Sequence, residues 1–223
     1  MRKVRGSVFL SLDGIMQGPG GPTEDPTGGF AEGGWVFKVW DDGVDESIGG
    51  FFAGEYDLLL GRRTYDIFAA YWPYVEGEAS AMGEAFTSAQ KYVLTRGDRP
   101  LEWANSHRLA TIADVAALKQ GDGPDLIIQR SGTIYPALLA AGLIDRLTII
   151  TFPVTLGGGK RLFGDGVPAG LLTMVDHTVT AKGTVIATYE PDGALPPYPP
   201  YGPEPSTSAR EAERQRRMQE GTW

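Results

Sequence analysis

The stretch 125–163, DLIIQRSGTIYPALLAAGLIDRLTIITFPVTLGGGKRLF, limits the possible folds more than any other part of this chain. It begins with Asp125–Gln129, a short Ile-rich run of strand length, and Ser131, Gly132 and Thr133 follow at once. Leu138, Leu139, Leu143 and Ile144 then recur at helical spacing, which predicts a helix over 135–143. Pro136 suits its first turn, where a missing N–H costs nothing, and Gly142 suits its end. Residues 147–152 read as a second buried strand. Such a strand–turn–helix–strand unit puts a helix N-terminus at the carboxyl end of a strand, where free N–H groups can receive a phosphate. The dinucleotide fingerprint Gly-x-Gly-x-x-Gly is absent. Gly157-Gly158-Gly159-Lys160 is not a P-loop either, because the spacing fails and Arg161 stands where a hydroxyl is needed.

The rest of the chain repeats the alternation of strand and helix. Residues 4–12 read as the first strand, behind a basic lead that lacks the long apolar region and cleavage site of a signal peptide. Asp13-Gly14 follow, then a Gly- and Pro-rich stretch of about twenty residues, a length typical of a functional lid or a surface insertion. Residues 44–52 predict a short helix. A second strand over 56–60 runs into Gly61-Arg62-Arg63-Thr64-Tyr65, which suits a strand-to-helix junction with positive charge beside free N–H groups. A third strand, 91–95, ends at Thr95-Arg96-Gly97. A short fourth is expected over 109–112, then a helix over 113–120 with Asp114 in its first turn and Gly121 at its end. Residues 171–180 and 184–190 read as an antiparallel hairpin around Lys182-Gly183. From Pro191 the composition changes: six prolines fall within residues 192–205, and residues 206–219 are highly charged, able to form a helix but with almost no apolar face, which suits a tail that is disordered or docks on the body or a partner subunit. The expected division is therefore a domain over 1–191 and an accessory tail over 192–223.

Composition bounds the partners. Net charge is −8, from 20 Lys and Arg against 28 Asp and Glu, which disfavours nucleic acid and anionic membranes. No run approaches the roughly 18 apolar residues of a membrane span. The absence of cysteine removes disulfides, thiolate metal sites and cysteine nucleophiles, and it suits a cytoplasmic chain. The two histidines, His107 and His177, lie far apart, so no metal is expected.

Three strand ends carry Gly, hydroxyl or Arg: Gly61 to Thr64, Thr95-Arg96, and Ser131 to Thr133. If their strands are parallel neighbours, all three lie on one edge and suit a ligand with several phosphates, such as a dinucleotide.

The order of motifs is specific. Ser11-Leu12-Asp13-Gly14, Gly61-Arg62-x-Thr64-Tyr65, Lys91-Tyr92-Val93-Leu94-Thr95 and Trp103-x-Asn105-Ser106 come first. Asp125-Leu126 through Ser131-Gly132, Gly142-Leu143-Ile144-Asp145, and Pro153-Val154-x-Leu156-Gly157-x-Gly159 with Leu162-Phe163 complete it. Together, from residue 3 to about 191, they resemble the dihydrofolate reductase superfamily. The nearest branch contains the reductase domain of the bacterial riboflavin-biosynthesis deaminase-reductase. The resemblance implies an α/β fold with a mixed, mostly parallel eight-stranded sheet flanked by helices and a C-terminal antiparallel hairpin. It implies NADPH as cofactor and hydride transfer to a small polar substrate, heterocyclic or sugar-derived. The activity would be similar to that of 5-amino-6-(5-phosphoribosylamino)uracil reductase.

Carried over by motif, Gly61, Arg62, Arg63 and Thr64 would hold phosphate and adenosine-ribose groups, and Leu94, Thr95 and Arg96 would line the adenine side. Backbone N–H groups of Ser131, Gly132, Thr133 and Ile134 would face the pyrophosphate. Leu12, Asp13 and Gly14, with the lid after them, would cover the nicotinamide, with Asp13 or water as proton source. Where the family has Gly, this chain has Arg130, so either the turn is relaxed or Arg130 adds a phosphate contact. Asp45 and Glu46 lie near the place of a folate-binding acid and read as helix-surface carboxylates. The resemblance also implies a homodimer through the sheet end near 142–163. A nucleotide-binding module without turnover is the alternative, and a structural homodimer with a decayed site is a third reading.

Overall fold

The computed structural model describes residues 1–164, 166–200 and 208–222. The chain divides into two compact units, 1–193 and 194–223. The first unit runs β1 (Val4–Ser11), α1 (Trp35–Lys38), α2 (Asp42–Phe51), β2 (Tyr56–Gly61), α3 (Arg62–Tyr71), α4 (Ser80–Ser88) and β3 (Lys91–Leu94). It continues with β4 (Ser106–Leu109), α5 (Ile112–Gln120), β5 (Asp125–Gln129), α6 (Tyr135–Ala140), β6 (Arg146–Phe152), β7 (Leu172–Val179) and β8 (Val185–Pro191). The strands form one eight-stranded sheet in the order β4-β3-β2-β5-β1-β6-β8-β7. Its first six strands are parallel, and β8 runs antiparallel to both β6 and β7.

Helices cover both faces of β1, β2, β5 and β6, which is why these strands are nearly continuous apolar runs. Successive side chains go to opposite faces: Leu59 packs with Val4, Val8, Leu126 and Leu138 on the α5–α6 side, and Leu58 and Leu60 pack with Phe68 and Phe86 on the α3–α4 side. Phe9, Ile150 and Phe152 pack with Trp35 and Val44 of α1 and α2.

Helix ends follow local chemistry. The Asp41 carboxylate accepts from Gly43 N–H at 2.9 Å, so α2 starts before the expected residue 44. Gly142, at φ 63°, closes α6: its N–H donates to Leu139 O at 3.0 Å and Leu143 N–H to Leu138 O at 2.9 Å.

Two expectations are corrected. The fourth strand spans Ser106–Leu109 rather than 109–112, because Thr111 caps α5 in a reciprocal box with Asp114 and Ile112 is already helical. The apolar strand over 142–163 does not lie at the edge of the sheet. Its strand, β6, is interior, and the returning hairpin makes β7 the edge.

In the second unit, α7 (Ala209–Gln219) buries no residue and is held by exposed ion pairs such as Arg216–Glu213 at 2.7 Å. Its cap, Ser208, accepts from Glu211 N–H at 3.2 Å. The part of the expected Pro-rich linker over 201–207 lies outside the described residues.

Candidate active site

The carboxyl ends of β3, β2, β5 and β1, consecutive parallel neighbours, form one edge. The three strand ends singled out in the sequence, after β2, β3 and β5, therefore lie on that edge. Two of them are tied together. Gly61 N–H donates to Ser131 Oγ at 3.1 Å, and Ser131 N–H donates to Thr64 Oγ1 at 3.2 Å. Two of the four N–H groups expected to face a pyrophosphate are already used, that of Ser131 in this tie and that of Ile134 in a bond to Ser131 O at 3.1 Å. The N–H groups of Gly132 and Thr133 have no hydrogen-bond partner among the described residues and are the donors left for an anion. Gly61 permits the contact: a Cβ there would stand 3.0 Å from Ile134 Cγ2.

The turn after β5 is built without the glycine that the resemblance implies. Arg130 and Ser131 take left-handed φ values of 64° and 43°. Such conformations cost about 1–3 kcal/mol each and persist only where the surroundings over-determine them. Here that support comes from the Ser131 ties and from Arg130 itself, whose guanidinium lies 5.9 Å from the Phe68 ring and pairs with Glu24.

A cavity of about 450 Å³ opens on this edge. Of the predicted residues, Arg63, Thr64, Arg130, Ser131, Gly132 and Thr133 line it. Leu12, Gly61, Leu94, Thr95, Arg96 and Ile134 do not. Arg62 points elsewhere: Nη1 donates to the Arg99 and Pro100 carbonyls at 2.8 and 3.1 Å, and Nε meets Asp66 at 2.8 Å. Arg96 is exposed at the end of β3, and Thr95 Oγ1 accepts from Gly97 N–H at 3.2 Å. Ile134 is buried in the core. Asp45 and Glu46 are both exposed on α2.

Asp13, expected with water as a proton source, is held as a carboxylate. Its carboxylate accepts from Ser11 Oγ at 2.6 Å, Leu156 N–H at 3.1 Å and Gly157 N–H at 2.8 Å. The Ser11 bond, helped by the two backbone donors and opposed by burial, holds its pKa down to about 2. At neutral pH it carries no proton to give. Its role is to clamp the end of β1, with Gly14 at φ 79°, to the loop after β6.

Sequence reasoning missed half of the cleft. Met16, Gln17, Glu24 and Asp25 of the Gly-Pro segment form one wall, and Lys160 and Arg161 another. The segment is anchored by a bridge between Ile15 and Arg161 and by Met16 N–H donating to Lys160 O at 2.8 Å. Gln17 fastens its far part through Asp25 and Thr27 carbonyls at 2.9 and 2.8 Å. Burial alone would raise the Asp25 carboxyl, but the Lys160 and Thr27 hydrogen bonds and the Lys160 charge keep it below the ordinary range. The available signal was a pair of adjacent acids in a neutral lid facing a pair of adjacent bases after a Gly run. A second cleft, about 410 Å³, lies toward the other end of the strands. Its arginines are already paired, Arg5 with Asp125 at 3.0 Å and Arg146 with Glu190 at 2.5 Å.

Comparison with known proteins agrees with this architecture. The model of the RibD C-terminal domain family matches residues 2–186. YyaP, an uncharacterized protein of Bacillus subtilis (strain 168), is 25% identical over 199 residues, covering 86% of this chain and 96% of its own. A structure from Shewanella sp. PV-4, named for riboflavin biosynthesis, superposes with a TM-score of 0.64 at 19% identity over 85% of this chain and 99% of that one. Dihydrofolate reductase from Enterococcus faecalis, complexed with NADP(H) and RAB-propyl, superposes with a TM-score of 0.52 at 15% identity, over 85% and 96%. At those identities the two structures establish the fold.

Proposed function

The chain belongs to the RibD C-terminal domain family, and on that premise we propose that it is an NADPH-dependent reductase of a small polar substrate, heterocyclic or sugar-derived. The observation that carries this reading is the cavity beside the ends of β1, β2 and β5, lined by Arg63, Arg130 and Lys160. The donor set fits the cofactor. Gly132 and Thr133 offer N–H groups to the diphosphate, and Arg63, Arg130 and Lys160 offer charge for it and for a 2′-phosphate. Arg96 stands at the outer end of the same edge, on the adenine side. NADPH supplies the hydride when bound. The chain binds and orients it, and the lid over the cleft excludes water. Water is the proton source in this reading, because Asp13 stays ionised. We also propose that the protein works as a homodimer assembled on the β7 edge.

The test is a thermal shift with NADPH and NADH side by side. At about 100 times Kd, NADPH stabilises by roughly 2.7 kcal/mol, or about 5–10 °C in midpoint for a chain of this size. No shift at millimolar NADPH overturns the proposal. A nucleotide-binding module without turnover is favoured by one observation, the lack of an acid at Asp13. Single-turnover spectroscopy on bound NADPH with carbonyl and imine substrates separates the two, since a module leaves the nicotinamide absorbance unchanged.

A further inference from the structure

The lid brings its own anions into the cleft. Glu24 and Asp25 are adjacent, and their side chains are only 10% and 11% exposed. Glu24 pairs with Arg130, and its second oxygen accepts from Gly20 N–H at 2.6 Å. Asp25 accepts from Lys160 Nζ at 2.5 Å, and the same Lys160 donates to Thr27 Oγ1 at 2.6 Å. Arg63 stands 4.0 Å from that Asp25 oxygen. The two lid carboxylates thus take up three of the four cations that line the cleft, Arg63, Arg130 and Lys160, beside the free N–H groups of Gly132 and Thr133.

The approach is built for this contact. Gly20 lies directly against the Arg130 guanidinium and the Glu24 carboxylate, so the lid backbone itself is in contact with the pair. The pairing leaves Arg130 incompletely satisfied: its Nε is buried and has no hydrogen-bond partner among the described residues. A guanidinium with an unused donor is ready for a ligand with more acceptor oxygens than one carboxylate provides.

We propose that Glu24 and Asp25 are internal stand-ins for phosphate, which hold the lid shut on the free protein and are displaced by the phosphorylated ligand. This inference rests on the reading of the cleft as a dinucleotide site. A diphosphate and two carboxylates in one small cleft would repel each other, so Arg130 and Lys160 exchange partners as the ligand enters. The lid is then a toll on affinity: the apparent Kd is the intrinsic Kd divided by the fraction of molecules with freed cations. It also sets specificity, because only a ligand with enough charge to outcompete both acids opens it.

The experiment measures NADPH and inorganic pyrophosphate binding by calorimetry on the full chain and on Glu24→Gln, with hydrogen exchange of amides 18–30. Glu24→Gln keeps the side-chain shape and removes the charge. It is expected to lower the Kd of both ligands about tenfold or more. In the wild type, saturating pyrophosphate is expected to speed exchange across 18–30. That measurement needs no variant and so stands if Glu24→Gln folds poorly. Unchanged or weaker binding by a folded Glu24→Gln overturns the inference, as does slower lid exchange on adding pyrophosphate. Pyrophosphate binding with lid release but no NADPH binding upholds the stand-in and removes the nicotinamide reading. Binding of neither ligand removes both.

Discussion

Neighbouring arginines at one helix start have opposite duties. Arg62 turns away from the cavity to the Arg99 and Pro100 carbonyls and to Asp66, whereas Arg63 faces the cavity with its side chain 52% exposed. Arg63→Ala is expected to weaken NADPH by roughly 1.5–3 kcal/mol, the scale of a charged hydrogen bond, and to leave NADH almost unchanged. Arg62→Ala is expected to leave both affinities alone and cost about 1–2 kcal/mol of stability. Titrating both cofactors against both variants checks the assignment, and equal losses from Arg63→Ala would make that side chain structural. Asp13 gives a pH prediction. Its pKa is depressed in the folded protein, from 3.8 to about 2, so the unfolded chain binds the proton first as pH falls. The stabilisation is complete above about pH 5 and is lost between there and pH 2. With solvent screening it is worth about 1 kcal/mol. Acid unfolding of Asp13→Asn should lack that component, and an unchanged acid limb would show that the clamp between β1 and the loop after β6 carries no weight.

Among the elements, the strands buried on two faces and the β7–β8 hairpin were legible, and the edge strand β4 was not. The strands β1, β2, β5 and β6 announce themselves as apolar runs because helices cover both sides. Strand β4 does not: His107 and Arg108 are exposed, so no alternation marks it, and the capping pair Thr111 and Asp114 is the better signal. Helix α4 is small-residue and amphipathic only in outline. Its Gly83 is needed because a Cβ would meet the Trp72 carbonyl at 2.6 Å, a contact no local pattern reveals. In the site, the turns at Gly61 and Ser131 were legible as strand-end punctuation. The wall made by Glu24, Asp25 and Lys160 was not, since it exists only when the lid folds back across more than a hundred residues of chain. Close packing of an element also yields a test. Tyr135 is fully buried, and a Cβ on Gly6 would overlap its hydroxyl, so β1 and α6 approach only because residue 6 has no side chain. Gly6→Ala is expected to destabilise by about 1–3 kcal/mol through overpacking. Denaturant midpoints decide this: a change of less than about 0.5 kcal/mol would mean that α6 yields easily.

At the scale of the molecule, the open question is what covers β7. It is the edge of the sheet, every one of its residues is exposed, and Met174 and Val179 are 51% and 62% exposed. Leu172, Val175 and Val185 extend the patch along the hairpin. An edge strand with unpaired backbone groups and apolar side chains is an association site unless charge or a bulge blunts it. A register shift between Met174 and Asp176 bends the strand without covering those side chains. A second copy pairing edge to edge would satisfy the backbone and bury the patch on both sides by the same contact, as a two-fold dimer requires. Residues beyond Gly193 are not needed for this. Asp192 N–H and Gly193 O still exchange hydrogen bonds with Leu171, at 2.9 Å each, which sets the end of the compact unit, and α7 buries nothing. A chain of residues 1–193 is therefore expected to sediment as a dimer and to bind NADPH as the full chain does. Val179→Lys in that chain is expected to be monomeric with unchanged NADPH affinity, since the edge proposed for the cofactor lies on β3, β2, β5 and β1 and not on β7. A truncated chain that is monomeric before any substitution would assign dimerisation to residues 194–223. A Val179→Lys chain that stays dimeric would move the interface off β7.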